Sequence, residues 1–271
     1  MRDWPGVSAR SAFIRWAVIG AVASAILLWA QSEAVGGIEG LLQVGETSDL
    51  RPLIESQLGQ VPLAPGPGHD GQIYYAIGLD LSGDTVGPLL DHAGYRYRRI
   101  LYPLLGSGFG ILDGTPLLIG MIVVTIVSTA VASGATAALA LRLGISEWAA
   151  LAVLLNPGIW LSVRLLTSDT LALALMMLGL LTLGSRLAVP ATSFALSTLA
   201  KDVFVVTPIG LAIGRDRRRW ILGGISLLAL LAWMTWLTLT LGDGFTGRGN
   251  VALPFMGIVD GSANWPNLDV E

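Results

Sequence analysis

The sequence predicts an all-α fold: a polytopic transmembrane helical bundle with a large extracytoplasmic first loop bearing short interfacial helices. Three observations lead there. Hydrophobic residues make up 53% of the 271 positions and charged residues only 13%, less charge than a soluble domain of this size needs to stay in solution. Apolar runs of roughly 20 residues, the helical length that crosses a hydrocarbon core about 30 Å thick, recur along the chain. Between the first and second of these runs lies a polar segment, 32–115, that holds most of the acids. The net charge of −3 offers no basic surface for nucleic acid, and the absence of Cys excludes disulfides, thiolate metal sites and a cysteine nucleophile. Lys201 is the only lysine among the sixteen basic residues.

The elements follow in order. Residues 1–11 read as a cytoplasmic N-terminus and 12–31 as the first transmembrane helix, Ala12–Gln31, because Arg2 and Arg10 precede it, Arg15 lies in its first turn, and basic residues stay on the cytoplasmic side. A cleaved signal peptide ending near Ser32-Glu33-Ala34 is the competing reading. The loop 32–115 then faces outward, and Pro62–Gly68 is a stiff linker within it. The remaining helices occupy 116–241, with spans at Pro116–Leu141, Glu147–Val163, Asp169–Gly184 and Trp220–Leu241. Asn156-Pro157-Gly158 interrupts the third span, since Pro lacks a backbone donor and Gly loosens the helix.

Ala188–Gly214 is apolar at both ends but carries Lys201-Asp202 at its middle. As one crossing helix of about 27 residues it would put Arg215, Arg217, Arg218 and Arg219 outside, against the positive-inside rule; as a hairpin of two short arms it keeps them inside. The hairpin is the preferred reading, and it requires a protein-lined or watery cavity around the turn. Residues 242–271 form an extracytoplasmic tail, in which Pro254-Phe255-Met256 is apolar enough to fold back over the site.

Two dense polar motifs sit in the first loop. In His69-Asp70-Gly71-Gln72-Ile73-Tyr74-Tyr75, Asp70-Gly71 begins a turn and Gln72–Leu79 follows as a short interfacial helix with Ile73, Ile77 and the rings toward lipid. Asp70 is then either a general base or a helix N-cap. In Tyr95–Pro103, three arginines within four positions are costly beside a bilayer unless something anionic is near. Helical spacing puts Arg96 and Arg99 on one face and points Arg98 elsewhere. Guanidinium groups suit phosphate through paired, permanently charged donors, while lipid headgroups or the loop's own acids are the alternative partners. Asp91 reads as the cap of that helix, and Asp80–Asp84 as a turn without the distal Glu of a calcium loop. His69 and His92 lack zinc-site spacing, so no metal is assigned. Lys201-Asp202, ionisable within a membrane segment, marks a substrate pathway or forms a mutual ion pair. Ser168-Asp169 is placed to cap the fourth span, with a catalytic role for Asp169 as the alternative.

Asp70-Gly71-Gln72-Ile73-Tyr74, Tyr95–Pro103, Thr167-Ser168-Asp169-Thr170 and Leu199-Ala200-Lys201-Asp202 together resemble the polytopic glycosyltransferases of the GT-C class, particularly bacterial proteins similar to the GPI mannosyltransferases. The likeness covers roughly residues 12 to 240, on short motifs of moderate specificity. It implies transfer of a sugar, mannose if the likeness to the GPI mannosyltransferases extends to substrate, from a polyprenyl-phosphate donor to an extracytoplasmic acceptor at the plasma membrane. Asp70 would be the catalytic base. Arg96, Arg99, Lys201, Tyr74 and Gln72 would bind substrate and phosphate, with Arg98, Asp169 and Asp202 as further candidates. No cofactor is required, and a divalent metal is compatible. Two departures stand out: family members continue through further spans, and their frequent acidic pair is His69-Asp70 here. They imply a shortened or inactive relative, or one completed by a membrane partner subunit. The competing class is a non-enzymatic subunit, transporter or flippase of lipid-linked sugars, although no internal repeat of the transporter kind is visible.

Overall fold

Ser8 starts the first helix, α1 (Ala9–Ala34): its hydroxyl accepts from the Ser11 amide at 3.1 Å and satisfies one donor of the open first turn. In the computed structural model, which describes residues 8–213 and 216–242, helices dominate. After α1 come β1 (Val44–Gly45), α2 (Arg51–Leu58), β2 (Leu63–Ala64), α3 (Asp70–Leu79), α4 (Ala93–Tyr97) and α5 (Leu101–Gly106). There follow α6 (Gly114–Arg142), α7 (Leu151–Leu154), α8 (Pro157–Arg164), α9 (Asp169–Leu181), α10 (Ala188–Ala200), α11 (Val206–Ala212) and α12 (Arg217–Leu241). Strands β1 and β2 pair in parallel, Val44 opposite Leu63.

Three helices, α1, α6 and α12, are long and apolar enough to cross a membrane, with 26, 29 and 25 residues. At 1.5 Å per residue they measure roughly 37–44 Å, against a hydrocarbon core of about 30 Å. The expected span Glu147–Val163 is not one helix. Asn156 stops it by accepting from the Gly158 amide at 2.8 Å, and Pro157 then opens α8 as a fresh first turn. The expected span Asp169–Gly184 is helical only to Leu181, 13 residues, or about 20 Å.

Small residues hold α1 to α6. The buried stripe of α1 is Ala12, Trp16, Gly20, Ser24, Leu28 and Ser32, one residue in four. A Cβ on Gly20 would lie 2.9 Å from the Thr129 carbonyl, and one on Gly134 would lie 2.6 Å from that of Phe13. Glycine at the crossing therefore sets how closely the backbones approach. The hydroxyls buried there, Thr125, Thr129 and Ser133, donate to carbonyls one turn earlier and leave no orphan donor. On the outer faces Ile14, Val18, Val22 and Ile26 of α1, and Ile119, Val123 and Val127 of α6, are exposed at the same four-residue interval.

Charge divides the bundle lengthwise. At one end Arg15 pairs with Glu147, Arg142 donates to the Leu181 carbonyl and Arg218 to that of Ser185. At the other end Leu241 packs on Gly83, and the Trp233 indole donates to the Tyr97 carbonyl at 3.0 Å. The chain reverses at Asp202–Val205. Lys201 ends α10 beside Asp169, Thr207 on α11 returns to Met176, and Leu211 reaches the cluster of Phe194 and Leu222. A single continuous helix through Ala188–Gly214 is thus not formed.

Helix α3 departs from the expected lipid-facing position. Tyr74, Tyr75 and Ile77 are buried, the Tyr75 hydroxyl donates to the Gly114 carbonyl at 3.1 Å, and Gly78 lies against Leu117. The helix packs into the core because neither glycine carries a side chain that would block it, Gly78 against Leu117 of α6 and Gly71 against the Leu42 and Leu165 carbonyls. Apolar exposure at this end falls instead on Phe109 and Ile111, 68% and 83% exposed, in the tight turn between α5 and α6. Arg215 and the tail from 243 onward, with Arg248 and Pro254-Phe255-Met256, lie outside the described residues.

Candidate functional site

Asp70 is the first residue of α3, preceded by His69 in extended backbone that makes no side-chain cap. Gly71 is there for close approach and not for a positive φ, since a Cβ would meet the carbonyl oxygens of Leu165 at 2.8 Å and Leu42 at 3.1 Å. Gln72 holds the turn. Its carbonyl accepts from the Gly45 amide at 3.2 Å and its amide donates to the Pro67 carbonyl at 2.6 Å, so both of its polar atoms are committed to backbone. It fixes the floor beneath Asp70 and also lines the groove beside it.

Two arginines converge on Asp70. Arg96 Nη1 donates to Oδ1 at 3.1 Å, and Arg99 Nη1 stands 3.8 Å from Oδ2. Each guanidinium is anchored elsewhere. Arg96 forks onto Asp91 through Nε and Nη2 at 3.0 and 2.9 Å. Arg99 donates to the Tyr74 hydroxyl at 3.3 Å and to the Tyr95 hydroxyl at 2.8 Å. Asp91 is therefore an arginine partner, although its carboxylate also accepts from the His92 amide. The Arg96 hydrogen bonds, outweighing partial burial, hold the Asp91 carboxyl below the usual range. Burial pulls the Arg96 pKa down, but Asp91 and Asp70 more than reverse this. Burial likewise works against charged Arg99, and Tyr74, Tyr95 and Asp202 overcome it, so the net shift is upward.

Tyr95 is the residue that sequence reasoning left without a role. The guanidinium carbons of Arg96, Arg98 and Arg99 lie 5.7, 5.5 and 5.2 Å from its ring centroid, within range of cation–π attraction. The signal was the alternation of Tyr and Arg in Tyr95–Arg99. Tyr74 is buried and its pKa is raised by desolvation, partly offset by Arg99, so the phenol keeps its proton. Its hydroxyl shares a 3.1 Å hydrogen bond with Ser168 and positions Arg99.

Lys201 and Asp202 do not pair with each other. Lys201 pairs with Asp169, which also accepts from the Thr167 hydroxyl at 2.9 Å. Asp202 lies 3.7 Å from Arg98. Ser168 makes no side-chain cap; its hydroxyl meets Tyr74 instead. The segment Thr167–Asp169 and the turn after α10 thus stand against the arginine motif. Asp80 organises the neighbouring turn by accepting from the Gly83, Thr85 and Val86 amides at 3.0, 2.7 and 2.9 Å. Among the described residues no cluster of three or more His, Asp or Glu could hold a metal.

A narrow crevice of about 10 Å³ is lined by Asp70, Ile73, Tyr74, Tyr95, Arg96 and Arg99. An open groove of about 370 Å³ adjoins it, shares Asp70, Ile73 and Arg96, and adds Thr47, His69 and Asp91. Asp70 stands at the junction of the two. Lys201 lines neither. The chemistry on offer is a carboxylate beside two fixed guanidiniums, open to solvent on one side. Compared with known proteins, the chain matches no family model, no curated protein and no solved structure.

Proposed function

We propose that the chain is a multi-pass plasma-membrane glycosyltransferase that moves a sugar, mannose being the first candidate, from a polyprenyl-phosphate donor to an extracytoplasmic acceptor. The observation that carries this reading is the junction itself: a carboxylate at 3.1 Å from Arg96 and 3.8 Å from Arg99, between a narrow crevice and a wider groove. Arg10, Arg15, Arg142, Arg186 and Arg217–Arg219 gather toward the opposite end, which the positive-inside rule assigns to the cytoplasm with the N-terminus.

In the reaction Asp70 takes the acceptor hydroxyl proton as the oxygen bonds to the anomeric carbon. The bond from that carbon to the phosphate oxygen breaks in the same step, and the electron pair leaves with the phosphate. Arg96 and Arg99 neutralise the leaving charge, so placement and electrostatics supply the acceleration. No step needs a cofactor. Lys201, Asp169 and Asp202 brace the site from the α9 and α10 side, Asp202 through Arg98 at the end of α4.

One observation favours a second reading, a non-enzymatic subunit or carrier of lipid-linked sugars: Arg96, Arg98, Arg99 and Lys201 each have a carboxylate within 4.0 Å. A network compensated in this way holds helices together without any substrate. Sugar transfer by membranes containing Asp70→Asn separates the two. Loss of transfer by at least about 10²-fold at equal protein level is expected of a general base. Unchanged transfer would remove Asp70 from the mechanism.

A further inference from the structure

Three guanidiniums stand against the Tyr95 ring, a fourth cation, Lys201, pairs with Asp169 nearby in the network, and the four carboxylates involved are not held equally. Asp91 receives a two-point fork from Arg96, and Asp169 receives Lys201 together with the Thr167 hydroxyl. Asp70 has one hydrogen bond, at 3.1 Å from Arg96, while Arg99 at 3.8 Å is beyond hydrogen-bond reach. Nor do the two guanidiniums need Asp70 to stay where they are. Asp91 fixes Arg96, and the hydroxyls of Tyr74 and Tyr95 fix Arg99. Asp70 removed, a preorganised pair of planar donors remains beside a crevice, which is an anion site.

We propose that the Asp70 carboxylate is the resident anion of the Arg96–Arg99 pair, and that a phosphate ester displaces it. This inference rests on the proposed transfer reaction and adds an order of events to it. A carboxylate and a phosphate compete for the same guanidinium edges: the donor's phosphodiester presents two non-bridging oxygens and one charge, as Asp70 does, and the lipid monophosphate left after transfer presents three oxygens and a second charge. Asp70, at the first position of α3 with its side chain 39% exposed, turns toward the groove it already lines. Freed from Arg96, it becomes available to take the acceptor proton. The base is thus released only when the donor phosphate is seated, which couples donor binding to activation of the acceptor.

The test is a titration of the full-length chain in detergent with farnesyl phosphate, followed by calorimetry. Asp70→Asn and Asp70→Ala are each expected to bind about tenfold more tightly than the parent, a change of about 1.4 kcal/mol. The alanine variant shows that the gain comes from vacating the site and not from a new amide donor. Glu46→Gln, a surface charge outside both cavities, is expected to change affinity less than about twofold. Arg99→Gln should weaken binding about tenfold or more in either background. Equal or weaker binding by both Asp70 variants, with Arg99→Gln still weakening it, overturns the displacement and leaves the phosphate site standing. A gain for Glu46→Gln as large as that for Asp70→Asn overturns it as a bulk charge effect. Indifference to Arg99→Gln overturns the phosphate reading itself.

Discussion

Replacing Gly71 with Ala sets two opposing effects against each other. In a helix the exchange normally stabilises by about 0.5–1 kcal/mol, because Gly loses more backbone freedom on folding. Here the added Cβ would sit 2.8 Å from the Leu165 carbonyl oxygen and 3.1 Å from that of Leu42. Carbon–oxygen contacts settle at about 3.3 Å or more, so the helix must retreat by about half an ångström from two backbone segments that cannot rotate away. Overpacking of this kind costs about 1–3 kcal/mol, which leaves a net loss of about 0–2.5 kcal/mol, centred near 1 kcal/mol, and so a fall in Tm of about 2–4 °C at that centre, where the exchange alone would have raised it. Gly224→Ala is the matched control: it lies in α12 with nothing within 4 Å of its would-be Cβ, and it should gain about 0.5–1 kcal/mol. Thermal unfolding of both variants in the same detergent makes the comparison. If Gly71→Ala gains stability as Gly224→Ala does, α3 is not pressed against Leu42 and Leu165, and the placement of Asp70 loses its physical cause. The shift also carries Asp70 away from Arg96. Under the proposed function, transfer should fall by about 10–100-fold even in the folded fraction.

Gln72→Met keeps the volume but strands the buried Gly45 amide, while the exposed Pro67 carbonyl can turn to water, so stability should fall by about 1–3 kcal/mol in denaturant titration; a loss below about 0.5 kcal/mol would mean that water replaces both bonds. The Asp80 pKa is set by burial, which raises it, and by hydrogen bonds from Ser82, Val86, Thr85 and Gly83, which together bring it below its ordinary value. A depressed folded-state pKa gives stability that is full above the unfolded value of about 3.9 and disappears as pH falls through the folded value. Asp80→Asn should therefore flatten the acid limb of the stability profile below about pH 4, and an unchanged limb would remove the turn as its source. The chain has no Cys, so Phe109→Cys and Ile111→Cys carry an environment-sensitive dye without background labelling. In proteoliposomes both dyes should emit as in an apolar interface and be quenched by spin-labelled lipid, whereas emission like that at Glu46→Cys would place this turn in water.

The membrane-length helices were legible because length and composition alone define them. The broken ones were not, although the cause was in view. Asn156-Pro157-Gly158 reads as a kink in an apolar run, but an Asn side chain that caps the next turn converts a kink into a stop. The same limit applied to α3. Its apolar residues have no face preference strong enough to distinguish lipid from protein, and what decided the matter was the space beside Gly71 and Gly78, set by chain segments far away in sequence.

Within the site the charges could be counted from the sequence, but their pairing could not. Lys201 and Asp202 are neighbours, and at the end of a helix the backbone sends adjacent side chains in different directions. Each therefore found a partner on another element: Lys201 on Asp169, Asp202 on Arg98. The consequence reaches beyond bookkeeping of charge. A mutual pair would have sealed the turn after α10 as a self-contained structural unit. Split between two partners, it ties the start of α9 and the arginine motif to one short connection. Through Arg98 and Arg99, both against the Tyr95 ring, that connection reaches Asp70. A change at Lys201 should accordingly be felt at Asp70 even though Lys201 lines neither cavity, and a double-mutant cycle between Lys201→Met and Asp70→Asn on phosphate affinity measures the coupling. Strict additivity, within about 0.3–0.5 kcal/mol, would show that the two ends of the network act independently.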